Sequence, residues 1–72
     1  MYRIESYNSA RTTMSKASTA KTLDEAKKEA ESEFGGGYID DVLLVLEDGY
    51  EMGFMVVAKK SNHPEATWMN VV

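Results

Sequence analysis

From Met1 to Tyr7 the residues alternate, with Tyr2 and Ile4 on one side and Arg3 and Glu5 on the other, which predicts a strand. Asn8-Ser9-Ala10 supplies turn chemistry, because Asn tolerates left-handed backbone angles and both polar side chains bond nearby amides. A second strand is expected from Arg11 to Thr19; it is rich in Thr and poor in core residues, a composition suited to a sheet edge. The period then becomes helical. Leu23, Ala26, Ala30 and Phe34 form one apolar stripe, whose two alanines let the helix lie close to a sheet. Thr22-Leu23-Asp24-Glu25 reads as a capping box, with the Thr22 hydroxyl accepting a first-turn amide and Glu25 reaching back to the Thr22 amide. Gly35-Gly36-Gly37 stops the helix, Gly35 suiting a left-handed cap, so the expected helix covers 22–34.

A hairpin follows. The runs 40–47 and 50–58 flank Asp48-Gly49, a dipeptide favoured in two-residue turns. That turn would set Val45 opposite Met52 and Leu43 opposite Phe54 on one face, with Leu44 opposite Gly53 and Val42 opposite Met55 on the other. A last strand is expected over 66–72, after the loop Ser61-Asn62-His63-Pro64-Glu65. The elements run ββαβββ, an α+β fold with one helix packed on an antiparallel sheet. Both hairpin faces are apolar, yet one helix covers only one of them. The other needs sheet curling, a second copy or a target to hide it. Lysine at Leu43 or Val57 is expected to break a dimer built on that face.

At 72 residues the chain accommodates one domain, spanning 1–72. Its 43% hydrophobic residues exclude a disordered tail, and the absence of Cys excludes disulfides and thiolate metal sites. The longest strongly apolar runs, 42–46 and 54–58, are far short of the ~20 residues of a spanning helix. Met1-Tyr2-Arg3-Ile4-Glu5 lacks the apolar core of a signal peptide, so a cytoplasmic location with no membrane association is expected.

The net charge of −4 hides an uneven distribution. Residues 1–23 set Glu5 against Arg3, Arg11, Lys16 and Lys21, and residues 52–72 set Glu65 against Lys59 and Lys60. The acid is concentrated between, in Asp24, Glu25, Glu29, Glu31, Glu33, Asp40, Asp41, Glu47, Asp48 and Glu51, against only Lys27 and Lys28. Such a field disfavours direct nucleic-acid binding and favours basic surfaces. Glu25, Glu29 and Glu33 share one helical line with Cβ atoms roughly 5–6 Å apart. With Asp40, Asp41, Glu47, Asp48 and Glu51 they form the candidate partner-binding set. An ordinary solvated helix face, with Lys27 paired to Glu31 and Lys28 to Asp24, accounts for the same helix residues.

Catalytic signatures are lacking. His63 is the lone histidine, in a polar loop before Pro64, and no serine sits in a G-x-S-x-G setting. The glycine run follows a helix rather than opening one, and the paired acids lack calcium-loop spacing. The expectation is a non-enzymatic protein without cofactor or metal. Tyr38, Tyr50, Phe54 and Trp68 serve as interface anchors or as core.

In its length, its helix between strands and its acidic segment 24–51, the chain resembles the small phage-borne anti-CRISPR inhibitors. The resemblance implies steric occlusion of a basic, nucleic-acid-binding surface on a protein partner by a DNA-mimicking acidic face, in the cytoplasm of a bacterial host. Thr22-Leu23-Asp24-Glu25-Ala26 is also similar to the helix opening of HicB-like antitoxin domains, in which three strands usually precede the helix. That likeness implies the alternative, a regulatory or structural homodimer acting through the apolar second face of the hairpin.

Overall fold

The computed structural model describes residues 1–10, 13–51 and 53–71, with Tyr50 described by its backbone alone. Five strands and one helix follow in the order β1 (Tyr2–Tyr7), β2 (Met14–Ala17), α1 (Leu23–Phe34), β3 (Val42–Tyr50), β4 (Gly53–Ser61) and β5 (Met69–Asn70). The strands form one antiparallel sheet in the order β2-β1-β3-β4-β5, and α1 packs on one of its faces. This is the α+β arrangement the periodicity predicts. The edge strands are shorter than expected: β2 does not begin before Met14, and Arg11 lies outside the described residues.

Thr22 caps the helix from extended backbone, its Oγ1 accepting from the Glu25 amide at 3.2 Å. The reciprocal bond differs from the expected one, since the Glu25 carboxylate takes the amide of Lys21, at 3.2 Å, rather than that of Thr22. At the other end Gly35 is right-handed (φ −63°), and its amide donates to the Glu31 carbonyl at 2.8 Å, extending the helical ladder by one bond. The expected left-handed cap is therefore absent there. The need for glycine at position 35 is steric: a Cβ there would run into the Glu31 carbonyl oxygen, and one on Gly37 would sit 2.7 Å from Asp41 Oδ2.

The core lies between α1 and the central strands. Ala26, Ala30 and Phe34 of the helix meet Ile4, Leu43, Val45, Val57 and Ala58, all buried, with Tyr2, Ala20, Leu23 and Trp68 around them. Leu43 and Val57 thus belong to the helix side. They do not lie on the second face, where a lysine at either position was expected to break a dimer.

The hairpin register is also corrected. β3 continues through Asp48-Gly49 to Tyr50, and the chain reverses between Tyr50 and Gly53, which pair with each other. Leu43 therefore faces Lys60, Leu44 faces Lys59, Val42 faces Ser61 and Val45 faces Ala58, while Met52 lies outside the described residues. Two causes combine. The Met1 carbonyl accepts from the Asp48 amide at 3.0 Å, continuing the β1–β3 ladder into the dipeptide. A reversal at 48–49 would also pair Val42 with Met55 and strand the backbone of 56–61 without β3 partners. Asp48-Gly49 instead forms an irregularity opposite β4, with Gly49 at φ +118° and Gly53 at φ +90°, angles that L side chains rarely adopt. A second bulge leaves Val57 unpaired between the Val45–Ala58 and Leu46–Val56 pairs, so two successive residues, Val57 and Ala58, are buried.

Candidate functional site

The three helix glutamates singled out by their spacing point to one flank of α1, where they hold the preceding segment of the chain. Glu25 Oε2 accepts from the Lys21 amide, Glu29 Oε1 from the Ser18 hydroxyl at 2.7 Å, and Glu33 Oε2 pairs with Lys16 Nζ at 3.2 Å. Periodicity identified this line, but its partners 16–21 are intramolecular. The opposite flank is used in the same way toward the C-terminal strand. Trp68 Nε1 donates to Glu31 Oε1 at 2.7 Å and Lys27 Nζ to Asn70 Oδ1 at 2.8 Å, so Lys27 does not pair with Glu31. Asp24 approaches Lys27, at 4.0 Å, rather than Lys28.

We expect Glu29→Ala to loosen residues 14–21 selectively. Loss of a half-buried, charge-assisted bond costs about 1.5 kcal/mol, and amide exchange over that segment should rise about tenfold, with Glu29→Gln keeping most of the protection because it retains the acceptor. Equal exchange in wild type and Glu29→Ala would remove the tether.

The remaining acids do not converge. Asp41 is 3% exposed and is a structural hub: Oδ1 accepts from Asn8 Nδ2 and Oδ2 from the Tyr38 amide, both at 3.1 Å. Asn62 closes the same loop through its amide to the Asp41 carbonyl and its side chain to the Tyr38 carbonyl at 2.9 Å. Asp40 is exposed beside it. Glu47 and Asp48 lie at the far end of β3 and Glu51 just past it, about 20–24 Å away at the rise of a strand; Asp48 Oδ1 accepts from the Gly49 amide. The eight carboxylates therefore form a helix flank, a buried hub with Asp40 beside it, and a hairpin tip, not one continuous face.

His63 serves its own turn, Nδ1 accepting from the Glu65 amide at 3.2 Å. Among the described residues no three His, Asp or Glu side chains are grouped to hold a metal, and no helix is long and apolar enough to cross a membrane.

The feature that sequence spacing located on the wrong residues is the second face of the sheet. Strand alternation and register set Val42, Leu44 and Leu46 of β3 beside Phe54 and Val56 of β4 on the side opposite α1. All five are half-buried. Tyr7 and Met69 flank them on β1 and β5, 46% and 61% exposed. The polar members of this face are few. Arg3 donates to Ser15 Oγ at 2.9 Å and lies over the Phe54 ring, 5.9 Å from its centroid. Glu5 accepts from the same Ser15 hydroxyl, and the Lys59 side chain has no hydrogen-bond or ion-pair partner among the described residues. A groove of about 370 Å³ opens beside β5, lined by Val42, Lys59, Ser61 and Met69 among others. The apolar alternation Val42, Leu44, Leu46 was visible in the sequence; that Phe54 and Val56 share its face depended on the bulge at Val57. Comparison of the chain with family models, curated proteins and solved structures finds no match.

Proposed function

We propose that this is a non-catalytic protein-binding module whose working surface is the open face of its sheet. One observation carries the reading: Val42, Leu44, Leu46, Phe54 and Val56 form a contiguous apolar strip on the side that α1 does not cover. Chains that act alone seldom leave such strips bare, and wide ones mark interaction sites. Its polar border, Arg3, Glu5 and Lys59, matches the core-and-rim composition of protein interfaces.

Inhibition of a nucleic-acid-handling complex through DNA mimicry is the weaker reading. Glu25, Glu29, Glu33 and Asp41 already serve the chain's own hydrogen bonds, and the rest divide between opposite ends of β3.

Oxidative footprinting tests the proposal whatever the partner. Met69 is on the open face; Met1, Met14 and Met55 are exposed elsewhere. In the protein's native milieu Met69 should oxidise several-fold more slowly than in the dilute purified chain, while the other three keep their rates. Unchanged oxidation of Met69 would sink the reading.

A further inference from the structure

We infer that the occupant of the open face is a second copy of this chain, packed face to face about a two-fold axis that runs along β3. The inference rests on the reading of that face as a binding surface and adds its partner. The argument comes from the rows that cross the sheet. One row reads Ser15, Glu5, Leu44, Lys59, Met69 from β2 to β5, with Leu44 on the central strand. Rotation about an axis along β3 exchanges the β1 side with the β4 side. Leu44 then meets Leu44, and each Glu5 meets the Lys59 of the other copy.

The next row makes the same exchange with shape instead of charge. Tyr7, Val42 and Ser61 lie in register, Tyr7 standing 46% exposed on one side of β3 and the groove of about 370 Å³ opening on the other. The rotation carries each Tyr7 to the groove of its partner. In the third row the rotation sets Leu46 against Leu46 and lays the Arg3 side chain, which also lies over Phe54, against Val56 of the other copy. A face with its acid and its knob on one side of a strand, and its base and its groove on the other, is complementary to itself, which is what an isologous contact requires.

Dimensions allow it. Packed sheets lie ~10 Å apart and cross at ~30°. Glu5 and Lys59 each stand ~5 Å from the axis, one strand spacing, so that crossing displaces them by only ~3 Å, within reach of long side chains. Five strands averaging ~20 Å in length present ~480 Å² per copy, so the pair buries on the order of 1,000 Å², the lower end of specific interfaces. A contact of that size belongs to the transient class rather than the obligate one.

Sedimentation equilibrium on the purified full chain, with the charge-reversal variants Glu5→Lys, Lys59→Glu and the double variant, tests the arrangement. Each single reversal sets two like-charge pairs in the interface and should weaken dimerisation at least tenfold; the double variant should return to within about threefold of wild type. Circular dichroism confirms that all three fold. A wild-type chain that stays monomeric up to ~1 mM, with Met69 still protected in the native milieu, overturns the second copy and leaves the face bound by another protein. A dimer indifferent to the reversals overturns this packing in favour of a contact through the sheet edges. Met69 equally oxidised in every setting overturns the face itself, and the dimer with it.

Discussion

Lysine at position 43 should leave the chain unfolded, whereas lysine at position 44 should leave it folded. Leu43 is fully buried against α1. Truncating a buried leucine to alanine alone costs about 2–5 kcal/mol, and an ammonium without a counter-charge adds several more. Lys60 pairs with Leu43 across the hairpin, and its Nζ already donates to the His63 and Ala66 carbonyls, so a lysine at 43 would bring a second cation beside it. A domain of this size has roughly 3–5 kcal/mol of stability, so the total exceeds what the fold can absorb. Leu44 is half-buried on the opposite face. A lysine there lays its stem along Leu46 and Val42 and carries its charge to solvent, so the urea midpoint should move by the equivalent of about 1 kcal/mol or less. Circular dichroism through a urea titration reads both. If Leu44→Lys unfolds as Leu43→Lys does, the assignment of the two faces is wrong.

Asp41→Ala should lower stability by about 3 kcal/mol, close to the whole margin, although the residue touches no apolar cluster. Its carboxylate receives the Tyr38 amide and the Asn8 side chain inside the turn that connects α1 to β3. Removing the acceptor leaves these two part-buried donors without it. Asp41→Asn should cost less, since one of its two terminal atoms still accepts. Gly37 sharpens the test. Gly37→Ala alone drives a methyl to within 2.7 Å of Asp41 Oδ2, but with Asp41→Ala that oxygen is gone. The double variant should therefore be more stable than the sum of the two losses predicts, by 1 kcal/mol or more in a double-mutant cycle. Simple additivity would mean that the turn has another organiser.

The helix, its cap residue Thr22 and the identity of every strand were legible in the sequence, because each depends on neighbours within a few positions. What depended on distant partners was not. Asp48-Gly49 is a strong local turn signal, yet the Met1 carbonyl and the pairing of 56–61 recruit it into β3. A shift of six positions keeps the strand alternation; the bulge at Val57 is what set Val57 on the helix side and Phe54 and Val56 on the face of Leu44. The glutamate line was legible as a line; its partners Lys16, Ser18 and the Lys21 amide were not, because a helical wheel says which residues share a flank and nothing about what lies beside it. Asp41 read as one more surface acid since only the loop geometry around Asn8, Tyr38 and Asn62 encloses it.

The sheet order has a kinetic meaning. β1 sits between β2, which follows it directly in the chain, and β3, whose pairing joins Tyr7 to Val42 and Tyr2 to Glu47 across the whole helix. The two local hairpins can form early, but neither has a core until that long closure is made. The rate-limiting event is therefore the meeting of β1 with β3, and this chain folds slowly for its length, on the scale of mixed α/β domains rather than helical bundles. Changes at Ile4 or Val45, which face each other in that ladder, act on the rate of folding; changes in the glutamate tether act on the rate at which the finished structure opens.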